Sequence, residues 1–483
     1  MSAIQAFTTF PMANLPQDVW FLIAGSTRRK DLASLAAVSK IHLHAARTFL
    51  YCDVSLKKTR CTNETISLLL ESTLALRVAR LELVTDDSEA VVSTPHVVWP
   101  PLESVRRMSN LRWLALRGVP HLSRNPSPFQ SSEQQGRFIS ILNDSCPNLK
   151  EIVVDPPHDV IGPNFGLQGL QRVKWCSSSA VQAGPDSFSH PAPRTLLQAS
   201  RTTLTHLCLF GFIGLAEAEL LGALRFPSLR SLILGPYMHP DDEGPAEGIA
   251  RFLISHPTLI ELGLGYLPNG IGSIVLDPIT LAEAKAPILP ALRRLHAHPL
   301  CVYTLVQAAP HCLISLISLE MGSGCSNVID EFSRLFCALP LIGQLPNMRK
   351  VGYYIGESAE EKIELFSECI DTLSSVCPNV EVWVGDLPMG LTLGSFTKSF
   401  SKFKNLREIF IREADEFPIV DATMELASHC LHLSRFVSKA EEHGGVRSVH
   451  FSRDDKRRVT SEKITEADTS FEEISGWLSI YPR

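Results

Sequence analysis

A short phrase recurs along most of this chain: apolar, two variable, apolar, one variable, apolar. The clear copies are Val78-Leu81-Leu83, Leu111-Leu114-Leu116, Leu149-Ile152-Val154, Leu170-Val173-Trp175, Leu204-Leu207-Leu209 and Leu229-Leu232-Leu234. Leu259-Leu262-Leu264, Leu316-Leu319-Met321, Met348-Val351-Tyr353 and Leu406-Ile409-Ile411 continue it, and weaker copies begin at Leu292, Val380 and Leu433. These thirteen copies step by about thirty residues, slightly more than the leucine-rich period. Six of them share a second marker, an X-Pro-X pair of steps just ahead of the first apolar residue. Cys146-Pro147-Asn148-Leu149, Phe226-Pro227-Ser228-Leu229, His256-Pro257-Thr258-Leu259 and Leu289-Pro290-Ala291-Leu292 carry it, as do Leu345-Pro346-Asn347-Met348 and Cys377-Pro378-Asn379-Val380. Proline cannot extend a helix and biases its predecessor toward extended backbone, so it separates a helix from a strand. Upstream runs at 137–145, 216–224, 249–255 and 362–376 have helical apolar spacing.

Each unit therefore reads as helix, proline stop and short strand. One such unit cannot bury its own apolar face, whereas stacked units share a continuous core. Parallel strands joined by helices place strands on one wall and helices on the other. The expected fold class is α/β, a curved solenoid over 57–437 with parallel strands on its concave side and helices on its convex side. The first, fourth and sixth positions of the phrase point inward, and the positions between them line the strand wall. Arg112, Trp113, Lys150, His206 and Arg230 fall there and are candidate substrate contacts. Trp113 is outward in phase, a place where aromatic anchors are favoured, whereas Trp175 is inward and reads as core. No arginine cluster is evident on one wall. Loops are expected at 120–135, 156–168 and 177–193, the last rich in Ser, Pro and Gly.

Ahead of the array, residues 15–56 hold a compact pattern of three helices closed by an extended run. Pro16 suits a first helical position, and Val19, Leu22 and Ile23 follow at helical spacing. Asp31 can cap a second helix that buries Leu32, Leu35, Ala36 and Val38. A third runs through Leu43, Ala46, Phe49 and Leu50. About forty residues make a very small core, which is marginal without a partner. The apolar surplus is therefore read as an interface.

The Leu15-Pro16 opening, the Asp31-Leu32 pair, Leu35, the Val38-Ser39-Lys40 triplet, Arg47 and the closing Leu50-Tyr51 resemble an F-box. Two departures stand out: Asp18 where the family carries Glu, and the plain 25–28 join. With the repeats that follow, the chain resembles F-box proteins with divergent leucine-rich repeats of the kind abundant in fungi. The resemblance implies a 13–56 helical domain docking a Skp-type adaptor, and through it a cullin, by Leu15, Pro16, Val19, Leu32, Leu35, Val38, Ser39, Lys40 and Leu50. The array would then present a protein substrate of unknown identity for ubiquitination, with no catalysis and no cofactor of its own. The alternatives are a non-catalytic scaffold unconnected with ubiquitination, or an enzyme assembled from scattered polar residues.

Composition narrows the classes further. The chain has 483 residues, 45% hydrophobic and 20% charged, as in a folded soluble protein. Its net charge of -6 supplies no bulk attraction to nucleic acid or anionic membrane. No apolar run reaches spanning length, and residues 1–12 read as a flexible tail rather than a secretory signal. Twelve cysteines without a C-x-x-C pair fit reduced, mostly buried thiols in the cytosol or nucleus. Phosphate-loop, zinc-protease and nucleophile-elbow motifs are absent. His296 and His298 alternate along a strand, but no Cys or carboxylate set accompanies them as metal ligands. His42 and His44 read as solvated or locally bonded. The polar end, 438–483, reads as a cap: a hairpin turning at 454–456, then an amphipathic helix over 470–480.

Overall fold

The computed structural model describes residues 16–27, 29–57, 72–84, 102–117, 132–155, 165–176, 191–210, 215–235, 244–265, 276–323, 328–355, 362–388, 390–411, 419–439, 446–453 and 459–467. The chain divides into two compact units, Met1–Leu170 and Gln171–Arg483. The tail at 1–12, the hairpin turn at 454–456, the helix expected over 470–480 and much of the three expected loops lie outside the described residues. Two loop assignments need correction: the helix expected from residue 137 begins earlier, at Ser132, inside the 120–135 stretch, and a helix over Pro191–Ser200 begins inside the 177–193 stretch.

The first unit opens with α1 (Gln17–Ser26), α2 (Arg29–Ala36) and α3 (Lys40–Leu50). Pro16 precedes α1 with extended backbone, and Ser39 caps α3, its Oγ accepting from the His42 N–H. Trp20, Ala24, Leu32, Ala45 and Ala46 form the small core, with Phe21, Leu35, Ala36, Phe49 and Leu50 packed against it. The two histidines of α3 are, as expected, solvated or locally bonded: His44 is exposed, and His42 Nδ1 lies 2.6 Å from Ser39 Oγ. His42 lies edge-on to Trp20 at 3.9 Å between ring centroids, and His44 edge-on to Phe21 at 5.8 Å. Four parallel strands follow: β1 (Asp53–Lys57), β2 (Arg80–Val84), β3 (Trp113–Arg117) and β4 (Glu151–Asp155). The parallel sheet thus begins at Asp53, within the range assigned to the helical domain. Arg77 ties α3 to the first repeat, donating to His44 O at 3.3 Å and to Thr48 Oγ1.

In the second unit β5 (Arg172–Cys176) to β14 (Arg435–Lys439) pair in parallel, each with its sequence neighbour. β15 (Val446–Arg453) and β16 (Val459–Ala467) then pair antiparallel, ending the row with the expected hairpin strands. A helix precedes most of these strands, as at 244–254 before β8 (Glu261–Leu264) and 362–376 before β12 (Val382–Gly385). Every phrase in the sequence carries a strand, β2 to β14.

Register explains the phrase. The fourth positions align as one column, Val173, Leu207, Leu232, Leu262, Leu295, Leu319, Val351, Trp383, Ile409 and Phe436, all buried. Full burial of one such side chain contributes about 1.5–3 kcal/mol. These columns face the helices: Trp383 lies edge-on to Phe366 of the 362–376 helix at 6.3 Å and to Phe400 at 5.3 Å. Tyr353, at a sixth position, meets Phe332 of the 328–338 helix at 4.8 Å.

The proline marker does more than stop a helix. It builds a turn in which the N–H of the first apolar residue returns to the carbonyl before the proline. Examples are Leu149 to Cys146 at 3.0 Å and Leu229 to Phe226 at 3.0 Å. Proline at the second turn position is preset for this geometry. The next residue then reaches back to the previous repeat. Asn148 Nδ2 donates to Ser109 O (3.0 Å), Asn379 Nδ2 to Pro346 O (2.9 Å) and Thr258 Oγ1 to Leu229 O (2.8 Å). Each such bond contributes about 1 kcal/mol and fixes the stacking register.

Close packing sets where glycine is required. A Cβ at Gly385 would sit 2.1 Å from the Tyr353 carbonyl oxygen, whereas one at Gly394 meets nothing within 4 Å. Gly385→Ala should lower stability by about 2–4 kcal/mol, as overpacking against a fixed backbone does. Gly394→Ala, inside a helix, should be neutral or raise stability by about 0.5–1 kcal/mol. Urea unfolding midpoints of the two variants check the contrast.

Candidate interaction surfaces

Two surfaces concentrate the residues singled out by sequence. On the helical bundle, Pro16, Ser39 and Lys40 are exposed, and Val38 is 66% exposed just past the end of α2. Val19, Leu35 and Leu50 are half-buried. Leu32 requires correction as an adaptor contact: it is 3% exposed and holds the three helices together. Leu15 lies outside the described residues. The inward face of α1 also differs from the one its spacing suggests. Trp20 and Ala24 point in, while Leu22 (72% exposed) and Ile23 point out. The physical reason is the size of Trp20, whose indole fills the small core and turns the opposite side of the helix to solvent. Ile41, half exposed at the start of α3, adds to this set and was not singled out by sequence. Leu22, Ile23, Val38 and Ile41 are thus four large apolar side chains left uncovered within about twenty residues.

The strand wall of each unit is the other surface. In the first unit Arg112 and Lys150 are exposed, and the Lys150 N–H joins the Arg112 carbonyl at 2.9 Å. Trp113 faces the wall, as its phase requires, but it is not an open anchor. It is 8% exposed, packed with Ala115 and Val153, and Arg80 lies over its ring at 4.3 Å. In the second unit Arg230 is exposed and His206 half-buried, its Nδ1 2.8 Å from Thr205 Oγ1. Burial and the nearby Arg172 charge hold His206 below the usual histidine range. His206 and Arg230 lie on adjacent strand ends, where the Arg230 N–H joins the Thr205 carbonyl.

Sequence reasoning missed the chemistry beneath this wall. Glu320 on β10 (Ser318–Ser323) is 2% exposed, yet polar neighbours meet it from both sides. Lys350 Nζ lies 2.7 Å from Glu320 Oε1, and His296 Nδ1 lies 3.4 Å from Oε2. Burial pushes the Glu320 carboxyl up, but His296 and the Lys350 ammonium outweigh it and hold it below the usual carboxylate range. Gly352 makes room for this group: a Cβ there would sit 2.8 Å from Glu320 Cγ. The signal was legible only across strands, because His296, Glu320 and Gly352 share a register row though far apart in sequence.

His298 has a separate carboxylate partner. Its Nδ1 accepts from the Leu300 N–H at 3.4 Å, so Nε2 carries the proton and faces Glu331 Oε2 at 3.2 Å. Burial holds His298 down at about 4 and pushes Glu331 up to about 7. Neither histidine joins a metal-ligand cluster of three among the described residues. Buried thiols are correspondingly unreactive: desolvation pushes Cys146 and Cys430 up to about 11 and Cys377 to about 12. Among the described residues, no helix is long and apolar enough to cross a membrane.

No protein-family model matches the chain, and no curated protein matches it. Among solved structures it is similar to a chain of the crystal structure of the Rad7 and Elc1 complex in yeast, at 16% identity. The match covers 83% of this chain and 89% of that one, with a TM-score of 0.40. A likeness of that size says nothing about function.

The His298–Glu331 contact yields a signed pH dependence. The unfolded Glu331 carboxyl titrates near 4.5 and the folded one near 7, so the native state retains a proton that the unfolded chain releases between those values. That preference stabilises the fold below pH 4.5 and is lost as pH rises through 7. Glu331→Gln keeps an acceptor for His298 and removes the titration. Its urea midpoint relative to the unaltered chain should therefore rise from pH 4.5 to pH 8.

Proposed function

We propose that this chain is the substrate-recognition subunit of a cullin–RING ubiquitin ligase of the SCF type. Its amino-terminal helices dock a Skp-type adaptor, and its repeat array binds the protein to be modified. The observation that carries this reading is the bundle's own partition. Trp20, Ala24, Leu32, Ala45 and Ala46 close a core, while Leu22, Ile23, Val38 and Ile41 stay uncovered beside the exposed Pro16, Ser39 and Lys40. Uncovered apolar side chains gathered on so small a bundle mark an interaction site. The F-box-like order of residues over 15–51 names the kind of partner, and the repeats behind it supply a second, separate surface.

On this reading the chain performs no covalent step. It holds a target lysine near the ubiquitin thioester carried by another subunit, which raises the effective concentration of the reacting groups. The reading places the chain in the cytoplasm or nucleus, where such ligases act.

Co-expression with a Skp-type adaptor tests the proposal. The intact chain should co-purify with the adaptor. Leu22→Asp with Val38→Asp should weaken the complex at least tenfold, since losing one buried apolar anchor costs about 1–2 kcal/mol. Leu341→Asp, at an exposed leucine of the second unit, should leave it unchanged. Failure of the intact chain to bind any adaptor of this class would overturn the reading.

A further inference from the structure

The second position of each phrase lies at the entry to its strand. Backbone bonds join these positions in one unbroken row: Ile260 N–H to Arg230 O (2.8 Å), Arg293 to Ile260 (2.8 Å), Ile317 to Arg293 (2.7 Å) and Arg349 to Ile317 (2.8 Å). Glu381 and Arg407 continue it, at 2.8 Å and 2.7 Å. Arginine therefore occupies every second place from Arg230 to Arg407, and the next two intervening places hold Ile260 and Ile317. Both isoleucines are open to solvent, at 37% and 44%. All four arginines are exposed. Glu381 is shared by its two neighbours, 3.7 Å from Arg349 Nε and 3.6 Å from Arg407 Nε. Four arginines against one glutamate leave this strip positive on a chain whose net charge is -6. Arg293 Nη1 donates to Ser315 O at 2.9 Å and Arg349 Nη1 to Asn379 O at 3.3 Å, which orients two of the guanidinium groups. Thr205 and Ser434 bound the row on either side.

Spacing selects the occupant. Neighbouring strands lie about 4.8 Å apart, so arginines recur every 9.6 Å or so with an apolar place midway. An extended peptide presents same-face side chains about every 6.7 Å and falls out of step. An α-helix laid along the row presents one face every turn, about 5.4 Å, so two turns exceed the arginine repeat by only about 1.2 Å, a drift that long, exposed guanidinium side chains can follow. The six steps from Arg230 to Arg407 span about 29 Å, the length of a helix of roughly twenty residues.

We propose that the row Arg230, Ile260, Arg293, Ile317, Arg349, Arg407 is the docking site for an amphipathic helix of a partner protein, with acidic residues at heptad spacing and apolar residues between them. This deepens the substrate-recognition reading by naming the chemistry of the segment recognised. The interleaved isoleucines and the negative net charge of the whole chain favour protein over nucleic acid.

A labelled 21-residue helical peptide tests it by fluorescence anisotropy on the full chain, with Glu at every seventh position, Leu three residues after each Glu, and uncharged residues elsewhere. The peptide should bind at least tenfold more tightly than a scrambled version of the same composition. Arg293→Glu with Arg349→Glu should weaken binding at least tenfold, and Ile260→Ser with Ile317→Ser should weaken it several-fold. Thermal melts of each variant verify the fold, and Arg293→Gln with Arg349→Gln serves if charge reversal prevents folding. Equal binding of the scrambled peptide, or affinity unchanged by the arginine variants, would overturn the proposal. So would a 20-nucleotide single strand that competes fully while the isoleucine variants bind as before. Leu22→Asp with Val38→Asp should leave peptide binding intact, and the arginine variants should leave adaptor binding intact, so the two readings fail separately.

Discussion

The stacking of inward apolar columns from one repeat onto the next is the interaction on which this architecture depends. A strand of four to six residues and one helix cannot exclude water from their shared face alone. Register solves this by placing like positions side by side: Leu232 against Leu262, Leu262 against Leu295, Leu295 against Leu319. Where aliphatic columns give way to larger side chains, aromatic rings interlock instead. Tyr353, Phe366, Trp383 and Phe400 meet at 5.3–6.3 Å between centroids, a range in which edge and tilted contacts are favourable. Gly385 is the accommodation this demands, since the column has no room for a further carbon beside Tyr353.

The opposite side of the same strands has a different economy. Its middle row is buried like a core, yet it holds Glu320 between His296 and Lys350. A carboxylate removed from water survives there because the Lys350 ammonium and the His296 ring converge on it, and removing Lys350 would leave the charge uncompensated. Toward the strand entries the side chains lengthen and reach solvent, and pairs such as Arg294–Glu261 at 3.2 Å span adjacent strands. Exposed pairs of this kind contribute little to stability. Their value is in the pattern of charge they present outward.

The helical bundle repeats this division on a smaller scale. Its core is one indole, one leucine and three alanines, with larger side chains packed only partly against them. So little volume encloses few side chains, and Leu22 and Ile23 of α1 and Ile41 of α3 are left outward. The greasy exterior follows from the small interior.

How much of this was legible depends on the range of each interaction. The phrase, the proline turns, the three early helices and the hairpin strands are local in sequence, and periodicity and turn chemistry revealed them. All thirteen phrases carry strands because every copy contains its own inward pattern. The carboxylate between His296 and Lys350, the cover that Arg80 lays over Trp113, and the arginine row were invisible in the linear order. Each joins residues about thirty apart whose neighbourhood is created only by strand pairing. Composition and spacing determined that this chain is a helix-and-strand repeat behind a small helical bundle. Which apolar residues of that bundle face water, and which charges the wall holds or displays, only tertiary packing decided. Side-chain volume and cross-strand register settle those questions, and neither is written within a single repeat.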